Sequence, residues 1–338
     1  MNLTKNFEIN IVDLIKDKYL TEPVSDQLVK VYYITKGRGN DPKPFILPRT
    51  VKVDKEFMEA IATYLGDGKL SKDLHHLEFT SIDKDMLDFM SSFFEEKFNL
   101  NPMEFTKKKY AFQINGKILR ILFERIINKI YESDFYSDTE LRRAFLRGLF
   151  AAEGNIAINR KENYIVYMQY CLHINEDKIT YLLMKCLDLE NISHVVKKEK
   201  KDNSMSIRWT NWKNYCKCWK ISLFESNKRK NNLFLNKVKK TKFFFEVKGA
   251  FIKKLLNSSG LPHRQIGLKL GIRPETLCIL NKFRTKHVNW SDFNKLIKFN
   301  KINLKEARHN ILTLRANRVT TINDKEFIDF IFDLKNFA

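Results

Sequence analysis

The chain of 338 residues is 43% hydrophobic and 30% charged, which is enough apolar material for packed cores and excludes disorder throughout. Sixty-one Lys and Arg against 40 Asp and Glu leave a formal charge of +21, a surplus suited to a polyanion and foreign to an ordinary metabolic enzyme. There is no run of ~20 apolar residues for a membrane span and no signal-peptide profile, and five scattered cysteines lack disulfide or zinc spacing; an intracellular protein that meets nucleic acid is expected.

At roughly 100–200 residues per domain the length predicts two or three units. Residues 1–50, punctuated by Gly37, Gly39, Pro42, Pro44 and Pro48, read as a lead-in without a core. From Val53 a helical period begins. Phe57, Ala60, Ile61, Tyr64 and Leu65 share one face, and the run stops at Gly66-Asp67-Gly68. Next come alternating residues from Leu74 to Thr80, as in a strand, and an amphipathic helix from Asp83 to Phe98.

A second helix of the same kind is expected after a capping box at Ser137 and Glu140, with Leu141, Ala144, Phe145, Gly148, Leu149 and Ala152 apolar or small before Glu153-Gly154. Placing Asp67 over Glu153, a shift of 86 residues, superposes Ala62-x-x-x-Gly66-Asp67-Gly68 on Gly148-x-x-x-Ala152-Glu153-Gly154. A strand (Tyr164 to Ile174) and a helix (Glu176 to Leu189) follow again, so the chain reads as an internal repeat over 51–135 and 136–236.

Small residues four apart lie on one helix face and permit backbones to approach more closely than the usual 8–10 Å. The two helices are therefore expected to cross side by side with Asp67 and Glu153 emerging together at their C-terminal ends. There the helix dipole is negative and each acid repels the other, an arrangement that asks for a cation. Mg²⁺ suits such a pair, because it takes oxygen ligands, keeps several waters and supports phosphodiester cleavage.

The segments Ala60-Ile-Ala-Thr-Tyr-Leu-Gly-Asp-Gly68 and Leu146-Arg-Gly-Leu-Phe-Ala-Ala-Glu-Gly154 resemble the two signature motifs of single-chain LAGLIDADG homing endonucleases, and the likeness covers roughly residues 45–236. The resemblance implies an α+β fold of two pseudo-twofold αββαββα repeats, with the motif helices at the interface and saddle-shaped antiparallel sheets on DNA. It implies a monomeric, intron-encoded or freestanding enzyme that cuts both strands of a long target, with Mg²⁺ as cofactor and Mn²⁺ or Ca²⁺ able to substitute for binding. Asp67 and Glu153 sit where the family places its metal-binding acids. The family's polar residue ending the second strand of each repeat falls at Ser81 and Asn175, and its basic residue at Lys230, with Lys129 as the first-repeat counterpart. Relatives also include non-cleaving DNA-binding regulators and maturases that bind their own intron RNA.

Residues that read base edges or neutralise phosphates are polar, basic or aromatic. Candidates in the first repeat are Lys69, Lys72, His75, Lys107, Lys109 and Gln113; in the second they are Asn159, Arg160, Lys161, Gln169, Lys201, Arg208 and Trp209. Residues 237–338 open with the basic run Lys237, Lys239, Lys240, Lys242 and are expected to form a small all-α helix-turn-helix domain. Ile266, Gly267, Leu270, Gly271, Ile272, Leu277 and Leu280 occupy the template positions of that motif. Arg273, Thr276, Asn281 and Lys282 of its second helix would face the DNA major groove.

Overall fold

The computed structural model describes residues 7–33, 44–73, 75–106, 110–159, 164–173, 176–198, 203–282, 287–316 and 320–336. It divides into two compact units: Met1–Ile156 with Met168–Trp209 and Ile221–Leu233, and Ala157–Tyr167 with Thr210–Lys220 and Phe234–Ala338.

In the first unit the repeat is plain. Helix Lys55–Asp67, capped by the Asp54 side chain, runs into strands Gly68–Leu70 and His76–Ser81, helix Lys84–Phe98, strands Met103–Thr106 and Tyr110–Asn115, and helix Lys117–Glu132. The second copy is helix Thr139–Ala152, strands Gly154–Asn159 and Tyr164–His173, helix Asp177–Leu189, and strands Val195–Lys198 and Ser204–Trp209. Each copy builds a four-stranded antiparallel sheet with the same order, the third and fourth strands in sequence exchanging places.

Each sheet buries one face in the core and leaves the other open, as half-buried antiparallel sheets do. In the first, Leu77, Phe79, Phe112 and Ile114 point into a core of stacked rings under helix Lys84–Phe98, whose Phe94 meets Phe112 edge-on at 5.6 Å. The other face carries Lys69, Glu78 and Gln113 in one cross-strand row. In the second sheet, Met168, Tyr170, Leu172, Met205, Ile207 and Trp209 fill the core face.

Three readings of the sequence are corrected. Residues 8–52 are not a coreless lead-in: strands Tyr19–Pro23, Leu28–Tyr33 and Phe45–Pro48 form a sheet, and Ile11, Ile15, Val31 and Leu47 are wholly buried. The second motif helix is capped by Asp138, whose Oδ1 accepts from the Glu140 and Leu141 amides, while Ser137 ends a short 3₁₀ turn. Asp and Ser compete for the N-cap position, and the 3₁₀ turn shifts the register by one residue.

The third correction concerns the C-terminal part. It is not all-α, because Phe243–Val247 pairs with His287–Asn289 and with Ile311–Ala316, which pairs with Thr320–Ile322. Alternating burial along Phe243–Val247 is the period of a strand. Helix Trp212–Lys220, expected to belong to the second repeat, joins this unit instead: Trp212 meets the Phe243 ring at 4.9 Å and Trp219 stacks on Phe330 at 4.6 Å. Helices His263–Leu270 and Pro274–Asn281 flank Gly271, which takes φ +60. A side chain at Gly267 would lie 2.6 Å from the Ile272 carbonyl oxygen, which explains the small residue there.

Candidate active site

The site begins with two close-packed helices. A methyl built on Gly148 would sit 2.1 Å from the Glu59 carbonyl oxygen and 2.7 Å from the Ala62 Cβ; one on Gly66 would sit 2.5 Å from the Ala152 Cβ. The glycines therefore cannot carry a side chain, and the Gly and Ala of each motif fit against the Ala and Gly of the other. The Arg147 guanidinium reaches the Glu59 carboxylate across this seam at 2.8 Å.

Asp67 is the last residue of its helix and Glu153 the C-cap of the other. The Cβ position of Gly66 is 3.4 Å from Glu153 Cγ, so the two acid-bearing ends lie against each other. Both carboxylates act on the same buried neighbours. The Tyr170 phenol is held well above its ordinary range by burial and then by Glu153, Glu176 and Asp67. Lys230 is pushed down to about 8 by burial, against the opposing pull of Asp67 and Glu153.

Lys230 is the basic residue expected from the sequence, and the structure gives it a definite task. Its Nζ donates to the carbonyl oxygens of Phe150 at 3.2 Å, of Ala151 at 2.8 Å and of Ala152. These are the orphan carbonyls at the C-terminus of the second motif helix, where a cation offsets the dipole. Lys129, by contrast, is exposed in the last turn of its helix. Arg120 is the basic residue of that helix whose charge acts on Tyr64 of the first motif.

Asn227 escaped the sequence reading. It is 1% exposed; its Nδ2 donates to the Ala151 carbonyl at 3.0 Å and to Asp83 Oδ2 at 2.9 Å, while its Oδ1 accepts from the Lys230 amide at 3.0 Å. Arg229 completes the joint on Asp83 at 2.7 Å. Burial pushes the Asp83 carboxyl up, but the hydrogen bonds from Arg229 and Asn227 prevail and hold it below its usual value. The only available signal is local: an Asn three residues before a helical lysine is an N-cap pattern.

Ser81 ends strand His76–Ser81, is buried, and accepts the Asp83 amide on its Oγ at 3.2 Å. Asn175, Lys107, Lys109, Arg160, Lys161 and Lys201 lie outside the described residues. Lys69 and Gln113 occupy the open face of the first sheet, whereas Lys72 and His75 are exposed in the preceding turn. In the second sheet Arg208 Nε donates to Gln169 Oε1 at 2.8 Å, a cross-strand pair on the face opposite Trp209; Gln169 is a correction, because it is buried and serves to hold the half-buried Arg208 rather than to face DNA.

Trp209 is a correction, because it is 1% exposed and packs edge-on against Phe150 at 4.8 Å, so it is core and not a DNA contact. One position of strand register separates it from Arg208, which is all that moves a side chain to the other face. Asn159 is half-buried at its strand end. Arg273 and Lys282 are exposed at the two ends of helix Pro274–Asn281, with Thr276 and Asn281 half-buried.

Among the described residues no group of three or more His, Cys, Asp and Glu side chains is gathered around one point. No described helix is long and apolar enough to cross a membrane.

Residues 140–217 match the family model of the LAGLIDADG-like domain. An uncharacterized protein of Methanocaldococcus jannaschii is 27% identical over 146 residues, a match that takes in 36% of this chain and 16% of that protein's length. Among solved structures, the homing endonuclease I-DmoI in complex with DNA and Mn overlaps with a TM-score of 0.39 at 13% identity, covering 50% of this chain and 96% of that one. The full-length DUF199/WhiA from Thermatoga maritima overlaps with a TM-score of 0.34 at 16% identity, covering 84% of this chain and 93% of that one. The twice-built helix and sheet, the two signature segments and the family match together identify a LAGLIDADG-like domain in this chain.

Proposed function

We propose that the chain is a site-specific endonuclease that hydrolyses phosphodiester bonds in both strands of DNA with a divalent metal. The observation that carries this reading is the meeting of the Asp67 and Glu153 helix ends across a seam too tight for any side chain at Gly66 or Gly148. Asp67 and Glu153 would hold the ion, which when bound lowers the pKa of a water and stabilises a leaving oxygen. Lys230 neutralises the carbonyl end of the Glu153 helix and keeps positive charge beside the acids. The open sheet faces, with Lys69 and Gln113 on one and Arg208 on the other, supply hydrogen-bonding groups for base edges and phosphates. Helix Pro274–Asn281 would add a second DNA contact through Arg273 and Lys282.

The test is a randomised duplex library incubated with Mg²⁺, followed by sequencing of the cut ends. Asp67→Asn and Glu153→Gln each abolish cutting and leave duplex affinity within a few-fold of the parent. Unchanged cutting by either variant removes that residue from the mechanism.

A second reading, a DNA-binding protein that does not cut, is favoured by one observation. The Lys230 ammonium is spent on three helix carbonyls and 8% exposed, a structural posture for the residue expected to assist chemistry. Selective enrichment of bound sequences with every duplex intact in Mg²⁺ and Mn²⁺ decides for it.

A further inference from the structure

The second unit contains a cavity of about 440 Å³, a size that accommodates a small organic ligand. Three lysines, Lys240, Lys242 and Lys335, line it together with Phe243, Phe244 and Trp290. Among the described residues no carboxylate lines it; the nearby Asp292 carboxylate accepts from Nδ2 of the lining Asn289 at 2.6 Å.

The three cations differ in how they are held. Lys335 is fixed, because its Nζ donates to the Thr241 carbonyl at 3.0 Å and to that of Lys239, above the Phe243 ring at 5.7 Å. Lys240 and Lys242 are exposed and, among the described residues, form no ion pair. Uncompensated ammonium groups around a concave wall focus a field for an anion. Half-exposed Phe244 and Trp290 add aromatic residues to the same lining, the Trp290 ring also resting on Phe245 at 5.5 Å and Phe332 at 5.4 Å. A phosphate group satisfies the first property alone, and an apolar molecule only the second.

We infer that this cavity binds a nucleotide, its phosphate ester held by Lys240, Lys242 and Lys335 and its base laid against Trp290 and Phe244. Ring-to-base stacking tolerates any base, so the site selects the nucleotide class rather than a sequence. It is separate from the acid pair and does not depend on the endonuclease reading.

The full-length protein is titrated with dAMP, with inorganic phosphate and with ribose 5-phosphate by calorimetry. Saturable binding of one dAMP, at least about fivefold tighter than ribose 5-phosphate, is expected from the stacking contribution. Lys240→Glu combined with Lys242→Glu weakens it about tenfold or more with the melting temperature unchanged, as suits two exposed side chains. Trp290→Ala reduces dAMP affinity to that of ribose 5-phosphate while phosphate affinity stays the same. Equal affinity for dAMP and inorganic phosphate, or an unchanged double variant, overturns the assignment. A single-stranded deoxythymidine decamer added in competition separates the sources: displacement of dAMP marks a strand nucleotide as the occupant, and co-binding marks a free one. Loss of cutting in the library assay leaves each of these outcomes untouched, so the two proposals fail separately.

Discussion

Lys230 and Lys335 show how two lysines of similar composition come to serve different ends. Each buries its stem and gives its ammonium to main-chain carbonyls at a helix end, and each is pushed down to about 8. For Lys335 the causes are burial and the neighbouring Lys239 charge, with no acid to oppose them. A lowered folded value sets the sign. Below pH 8 the fold bears the cost of a buried charge; from 8 to the unfolded 10.5 the unfolded chain binds more protons, so stability rises with pH across that window. Lys335 remains partly solvated, which reduces the effect to about 1–2 kcal/mol. Urea midpoints at pH 8, 9 and 10 are expected to climb for the parent relative to Lys335→Met; parallel curves would show that Lys335 titrates normally.

At the scale of elements, the motif helices are matched by the absence of side chains as much as by their presence. Gly148→Ala places a methyl 2.1 Å from a main-chain oxygen, which cannot yield without parting the helices. A loss of about 2–4 kcal/mol is expected by chemical denaturation, against the slight gain usual for Gly to Ala in a free helix. Asn227→Ala strips partners from Ala151, Asp83 and the Lys230 amide at a buried joint, and is expected to cost about 2–3 kcal/mol. In metal-dependent cutting it would fall between the parent and Glu153→Gln.

These elements also show what the sequence could disclose. The Ala-x-x-x-Gly and Gly-x-x-x-Ala spacing announces a close crossing, because a helix repeat fixes which residues share a face. Asn227 could not be found this way, since its three partners are contributed by residues 76 and 144 positions away as well as by its own helix. Trp209 is misplaced by the sequence for a related reason: composition says aromatic, but register alone says inward.

For the whole molecule, the +21 charge suits a polyanion, and binding of the duplex proposed above would depend steeply on salt. Substituting exposed Arg273 and Lys282 together by Ala is expected to lower duplex affinity roughly tenfold and to reduce the salt slope by about 2, with cutting chemistry intact at saturation. An unchanged slope would remove helix Pro274–Asn281 from the interface. Point changes are the right instrument, because truncation after residue 245 would uncover Trp219, which stacks on Phe330, and part of the face on which helix Trp212–Lys220 rests.

By itself the sequence determined the repeat, the helices that bear Asp67 and Glu153, and the pair of C-terminal helices around Gly271. Each is written in local periodicity, and local periodicity is all that a helix or a strand requires. The tertiary structure alone decided that residues 8–52 make a sheet with its own buried side chains, that helix Trp212–Lys220 belongs with the C-terminal strands, and that Lys230 faces carbonyls rather than solvent. Those outcomes depend on which surfaces are left to bury once the repeats have formed, and that is a property of the assembled chain rather than of any stretch of it.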